Sequence, residues 1–137
     1  MSRAILNGIF SVLIVFSAVG CKTTVQAQTE APALGSDATI VAKKNKTGTY
    51  AVSVDVTNLA PPSRLDAEAT TFVVWLVTKD APAVRAGALA YDEGDRRGRL
   101  ETSSPSAQFN VLITLEKDSA PLSPSGKGIL DVPVATR

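Results

Sequence analysis

The side chains that most often carry out catalysis or bind metals are scarce in this chain of 137 residues. It contains no histidine and a single cysteine, Cys21. Without histidine, neither a Ser-His nor a Cys-His nucleophile pair can form, and a zinc site that needs imidazole is excluded. One cysteine cannot form an intramolecular disulfide. We therefore predict no cofactor and no metal, and a domain stabilised by packing and backbone pairing.

One acidic cluster, Asp92, Glu93 and Asp95, remains a candidate for calcium binding, because hard cations bind clustered carboxylates. The regular spacing of a calcium loop is absent, and the arginines at 96, 97 and 99 would neutralise the acids. The same arginines could meet a phosphate, but the adjacent acids oppose it. A solvated, charged turn is the expected structure.

Three further side chains have the functional groups that a catalytic or binding site could use. Asp55 and Glu116 are predicted on the outward faces of strong strands. Paired carboxylates can hydrolyse glycosides when they face each other across a cleft, but nothing in the sequence brings these two together. Trp75 could stack on a ligand, although its apolar neighbours favour a position in the core.

The N-terminal segment has the three parts of a secretory signal. Arg3 supplies the positive start, and small residues precede Cys21. The apolar stretch between them has about 15 residues, whereas a membrane-spanning helix needs roughly 20. The sequence therefore favours a signal peptide over a stable transmembrane helix.

The five residues Ser17 to Cys21, SAVGC, resemble the lipobox of bacterial lipoproteins, although the second and third are not the commonest in that family. The resemblance implies cleavage between Gly20 and Cys21, lipidation of the Cys21 thiol and attachment to a membrane. The alternative is an ordinary cysteine in an uncleaved or conventionally cleaved signal. Because Lys22 replaces the aspartate typical of inner-membrane retention, the periplasmic side of the outer membrane is favoured if the cell is Gram-negative.

The sequence predicts three parts: a signal peptide over 1–20, the lipidated cysteine with a flexible tether over 21–37, and a folded domain over 38–137. The tether is predicted because Thr, Gln, Ala, Pro and Gly without a hydrophobic period are typical of linkers.

Charge patterning predicts no second attachment to the membrane. Loss of Arg3 with the signal leaves 13 basic and 13 acidic side chains, so the mature chain is nearly neutral and no polybasic anchor is expected. Lys43, Lys44 and Lys46 are predicted to lie near an edge strand, where lysine prevents edge-to-edge pairing.

From Ala38 onward the apolar residues recur with a period of two, which indicates strands. The segment 71–77 is continuously apolar, as in a central strand. Turn signals separate about seven such segments, one of them a short strand over 87–91, and this pattern predicts an all-β, immunoglobulin-like antiparallel sandwich. The residues expected to form its core are Tyr50, Val52, Val54, Phe72, Trp75, Phe109 and Ile113.

Part of the chain, from Phe72 to Leu130, resembles the extracytoplasmic C-terminal domain of anti-sigma-K-type factors. The matching pieces are Trp75-Leu76, Gly87-Ala88-Leu89, the charged turn 92–98, Thr114-Leu115-Glu116 and Pro124-Ser125-Gly126. The resemblance implies an immunoglobulin-like sandwich outside the cytoplasm. It does not imply sigma-factor binding, which in that family belongs to a separate cytoplasmic helical domain.

These observations predict a noncatalytic lipoprotein of the cell envelope, whose sandwich is an interaction or sensing module. The expected partners are the membrane, through the lipid, and an unidentified envelope protein; the chain is expected to be a monomer. Near-neutral charge argues against nucleic acid. The alternative is a small-ligand-binding or hydrolytic envelope protein that uses surface carboxylates in a concave pocket. A subunit in envelope stress sensing is a third hypothesis.

Overall fold

Ten strands and one short helix make up the part of the chain that the computed structural model describes, residues 15–19 and 22–136. The elements are β1 (Val15–Val19), β2 (Lys22–Gln28), β3 (Asp37–Lys44), β4 (Tyr50–Thr57), α1 (Pro62–Leu65), β5 (Thr71–Val77), β6 (Val84–Ala88), β7 (Ala90–Asp92), β8 (Arg97–Ser104), β9 (Gln108–Glu116) and β10 (Gly128–Ala135). These residues contain no helix with the length and apolar character that crossing a bilayer requires.

The strands form two antiparallel sheets that face each other. The larger sheet has six strands in the order β1-β2-β3-β4-β8-β7, and the smaller has four in the order β10-β9-β5-β6. If β3 to β10 are read as strands A, B, C, C′, D, E, F and G, the sheets are A-B-E-D and G-F-C-C′. This is the immunoglobulin-type order, so the predicted all-β sandwich is confirmed.

The predicted flexible tether is wrong for the described residues of that segment. Residues 22–28 form β2, which pairs with β3 along its whole length and places Val25 and Ala27 in the core. A following turn is held by backbone hydrogen bonds, including one from Thr29 N to Ser36 O of 3.1 Å. The sandwich thus begins before residue 38. Threonine and alanine at alternate positions suit a strand because one face can be small and buried while the other stays polar.

The prediction that the lysines at 43, 44 and 46 lie near an edge strand and prevent edge-to-edge pairing is also wrong. β3 pairs with β2 on one side and β4 on the other, so it is an interior strand. Asn45 begins the turn to β4, in which Asn45 N donates to Thr49 O at 2.7 Å. The lysines therefore need another explanation.

The single strand predicted over 87–91 is two strands in different sheets. β6 pairs with β5 in the smaller sheet, whereas β7 pairs with β8 in the larger. Between them Leu89 is buried, and its N–H donates to Phe72 O at 2.9 Å. Gly98 makes room for this crossing, because a Cβ there would lie 2.9 Å from Leu89 Cδ1. The chain therefore crosses from the smaller sheet to the larger at Leu89, whose side chain is buried between them. With β1 and β2, this division gives ten strands instead of about seven.

The core lies between the two sheets. It is formed by the inward side chains of both, and among the predicted core residues it includes Val52, Val54, Phe72, Phe109 and Ile113. Tyr50 is buried at the start of β4. Val73 and Trp75 are fully buried as well, but they alternate with Phe72 and Val74 and so point away from the core.

Candidate functional site

The outer face of the four-stranded sheet carries a buried polar network. Trp75 Nε1 donates to Thr114 Oγ1 at 2.9 Å, and Thr114 Oγ1 donates to Glu116 Oε2 at 2.6 Å. The Glu116 carboxylate also accepts from the Ser125 hydroxyl at 2.7 Å, from Ser125 N at 3.1 Å and from Gly126 N at 3.2 Å. Glu116 is only 3% exposed. These bonds attach the segment 117–127 to the sheet, which explains why side chains on this face are buried.

The charge on Glu116 is favoured by its hydrogen bonds. Burial raises the pKa of Glu116, but the donors from Thr114, Ser125 and Gly126 outweigh burial and hold it below its usual value. The carboxylate is therefore ionised near neutral pH and engaged as an acceptor. A general acid needs a raised pKa and a free approach to substrate, and Glu116 has neither. Its role is to fix the loop between β9 and β10.

A depression of about 690 Å³ lies beside this network. Four charged side chains on its rim pair with one another. Lys117 Nζ lies 2.6 Å from Glu68 Oε1, and this contact raises the pKa of Lys117. Lys127 Nζ lies 3.9 Å from Asp66 Oδ2. Asp118 also lines the depression, where its Oδ1 accepts from Ala120 N at 3.0 Å, and within residues 22–136 it forms no ion pair. The depression is therefore concave and polar, and most of its charged side chains already have partners.

A second depression, of about 620 Å³, lies at the other end of the smaller sheet. Val77, Phe109, Pro133 and Val134 are among its lining residues, together with Lys79. Apolar side chains dominate this lining, and it contains no carboxylate. Thr78, Gln108 and Asn110 also line it, and Asn110 Nδ2 donates to Asp131 Oδ1 at 2.9 Å.

Asp55 lies on the outer face of the six-stranded sheet, where it pairs with arginine. Arg97 Nε donates to Asp55 Oδ1 at 2.8 Å, and a second contact joins Arg97 Nη2 to Asp55 Oδ2. Arg99 Nε lies 3.9 Å from Asp55 Oδ2. The hydrogen bond from Arg97 lowers the pKa of Asp55 and outweighs the opposing effect of burial, and the charges of Arg97 and Arg99 lower the pKa further. Two of the three arginines considered for phosphate binding are thus directed at this carboxylate.

The structure does not bring the two candidate catalytic carboxylates together. Asp55 lies on the outer face of one sheet and Glu116 on the outer face of the other, with the core between them. In the turn after β7, Asp92 Oδ1 accepts from Asp95 N at 3.1 Å. Within residues 22–136, no group of three or more Asp, Glu, His or Cys side chains is placed to hold a metal ion.

The predicted lipidation site, Cys21, and the predicted cleavage residue Gly20 lie outside the described residues. Lys22, which follows Cys21 directly, is the first residue of β2. β1 lies before the predicted cleavage point and pairs antiparallel with β2, with Val19 opposite Lys22.

Sequence reasoning missed the partners of Glu116. Thr114-Leu115-Glu116 and Pro124-Ser125-Gly126 were recognised as separate pieces of a family resemblance, and the structure places them in contact. A threonine two residues before a glutamate on one strand face is a usable signal, because alternate residues are neighbours. Comparison of the chain with protein-family models, curated proteins and solved structures finds no match in any of the three.

Proposed function

We propose that the chain is a noncatalytic lipoprotein of the cell envelope, anchored through Cys21, whose sandwich acts as an interaction or sensing module. The observation that carries the proposal is the lipobox-like sequence over 17–21 after an apolar stretch. Two or more acyl chains anchor a protein stably, whereas one binds only marginally. The fold is compatible with this role, since sandwiches of this kind serve many binding functions.

The surface offered to a protein partner is the outer face of the larger sheet, which retains β2, β3, β4, β8 and β7 after the proposed cleavage removes β1. The segment 117–127 covers the part of the corresponding face of the smaller sheet around Thr114 and Glu116. On the larger sheet, Thr24, Gln26, Thr39, Val41 and Ser53 point outward and are partly or fully exposed. Their short side chains on a regular sheet make a broad, flat surface, which suits a protein partner better than a small molecule.

The small-ligand and hydrolytic alternative has weaker support. It needs unengaged polar groups that converge in a pocket, but Lys117 and Lys127 on the rim of the larger depression pair with Glu68 and Asp66. Asp55, the other candidate carboxylate, belongs to an ion pair on the opposite face.

Mass spectrometry of the N-terminus of protein extracted from membranes tests the anchor. We expect a diacylated or triacylated Cys21 as the first residue, and a Cys21→Ser variant that is neither lipidated nor cleaved there. An unmodified Cys21 with residues 1–20 still attached would contradict the anchor.

Crosslinking of the lipidated protein in membranes, followed by affinity purification, tests the interaction role. We expect one stoichiometric envelope protein, whose recovery is lost when Val41→Arg places a bulky charge on the flat face. Arg64→Glu, an exposed substitution on α1, is the matched control and should leave recovery unchanged. Recovery that is equal for all three proteins would contradict this surface.

A further inference from the structure

Four lysines gather at one end of the six-stranded sheet, which we call the lysine end: Lys22, Lys43, Lys44 and Lys46. Lys22 begins β2 and lies directly opposite Lys43 near the end of β3. Lys44 closes β3, and Lys46 lies in the turn that follows. All four are exposed, and none forms an ion pair with the residues over 22–136.

The acidic side chains lie mainly at the opposite end of this sheet. Asp37 begins β3 there, and Asp92, Glu93 and Asp95 lie at the turn between β7 and β8. Of the basic residues at this end, Arg96 lies in the same turn, and Arg97 and Arg99 at the start of β8 are paired with Asp55. Near-neutral net charge therefore conceals a separation of charge along the strands. At the lysine end of the sandwich, the smaller sheet contributes the adjacent Lys79 and Asp80, which offset each other.

We propose that the lysine end lies against the anionic headgroups of the membrane surface and orients the sandwich there. This rests on the proposed anchoring through Cys21. Because Cys21 is bonded to Lys22, the first residue of β2, no flexible spacer separates the acyl chains from the sheet. The lipid would hold the lysine end within a few ångströms of the headgroups. That separation is well inside the Debye length of roughly 8 Å, beyond which salt screens the attraction between charges.

Lipid attachment and a basic patch together form the two-signal arrangement that anchors peripheral proteins. The lipid prevents dissociation, and the lysines fix which part of the sandwich faces the bilayer. The acidic end is then directed away from the surface, which repels it. The flat outer face of the larger sheet stands roughly upright, where a partner in the envelope can reach it.

Lysine acetylation read by mass spectrometry tests the proposal on the wild-type sequence. Lipidated protein purified from membranes is placed in vesicles of phosphatidylcholine, or of phosphatidylcholine with anionic phosphatidylglycerol. The acetylation rates of Lys22, Lys43, Lys44 and Lys46 are compared with that of Lys127 near the other end. We expect each lysine that contacts the bilayer to be acetylated about fivefold more slowly in anionic vesicles than in vesicles of phosphatidylcholine alone. High salt should abolish this difference. Lys127 should react equally in both vesicles.

The controls separate lipid headgroups from other phosphates and from the anchor. Soluble glycerol phosphate added to phosphatidylcholine vesicles should give no protection; protection there would assign the patch to a free anion and overturn the proposal. Equal rates in the two vesicles, with Cys21 lipidated, would also overturn it while leaving the proposed anchor intact. An unlipidated Cys21 would contradict both the proposed anchor and the proposed membrane contact of the lysine end.

A matched pair of variants gives a second measurement. Lys44→Gln with Lys46→Gln should restore faster acetylation of Lys43 in anionic vesicles, because fewer charges hold that end at the surface. Lys117→Gln with Lys127→Gln, which removes the same charge at the other end, should leave Lys43 protected. Identical behaviour of the two variants would contradict an oriented contact.

Discussion

Glu116→Gln is the substitution that measures most directly what the buried network contributes. The amide keeps the shape of the side chain and can still accept from Thr114, Ser125 N and Gly126 N, while its NH₂ donates to the Ser125 hydroxyl. What it loses is charge. A hydrogen bond to a charged group contributes about 1.5–3 kcal/mol, compared with about 0.5–1.5 for a neutral pair. Over the four bonds to the carboxylate, the difference is roughly 4 kcal/mol.

Part of that difference is recovered because the variant no longer buries a charge. We expect a net decrease in unfolding free energy of about 2 kcal/mol, which corresponds to a fall in Tm of roughly 8 °C for a domain of this size. Urea unfolding of the full chain in mild detergent measures it. Trp75 is the only tryptophan and donates to Thr114, so its fluorescence reports on the network itself.

The pH dependence gives an independent check with a fixed sign. The folded-state pKa of Glu116 is lowered, so its contribution is complete above the ordinary glutamate pKa of about 4.3 and is lost as pH falls toward the folded value. The wild-type advantage over Glu116→Gln should therefore be constant near neutral pH and shrink in acid. The exposed Glu101→Gln should change stability by less than about 0.5 kcal/mol. If Glu116→Gln is equally mild, the network does not stabilise the loop.

Three further substitutions test other parts of the structure by the same unfolding assay. Gly126→Ala should lower unfolding free energy by more than about 2 kcal/mol, because its Cβ would lie 1.5 Å from the Leu115 carbonyl oxygen, a backbone atom that cannot rotate away. Val25→Ala should cost about 2 kcal/mol, because β2 buries this side chain completely. Asp55→Asn should cost less than about 1 kcal/mol at neutral pH, because its ion pair with Arg97 is partly exposed. That difference should vanish as pH falls below the ordinary aspartate pKa toward the lowered folded value, where the wild-type carboxyl is protonated.

Two of these substitutions have a control substitution, and the pH dependence serves as the check for the third. Gly94→Ala introduces a Cβ whose nearest contact is a side-chain oxygen at 3.3 Å, and it should be tolerated. Gln26→Ala changes an exposed residue of β2 and should be nearly neutral. If Val25→Ala were equally neutral, the segment 22–28 would behave as the tether first predicted. For Asp55→Asn, a loss that persists unchanged in acid would mean that the charge is not its source.

The alternation of apolar and polar residues was sufficient to predict the sandwich. Strands such as 50–57 and 109–116 place every second side chain inward, and no rearrangement of neighbours changes that periodicity. The same reasoning failed over 22–28, where the inward residues include Thr23 and Ala27, too small and polar to stand out in a sequence. The prediction of a single strand over 87–91 failed because a continuous strand and two short strands in different sheets can have the same local pattern of residue types.

The local sequence determined most of the strands and the turns between them, and which classes of chemistry the missing histidines exclude, because these depend on residue type and spacing alone. Only the tertiary structure decided that Glu116 and Trp75 belong to a buried network, that Asp55 lies on the other side of the core, and that four lysines share one end. Those relations join residues far apart along the chain. They are set by strand order and register, which depend on how the whole set of strands packs and pairs.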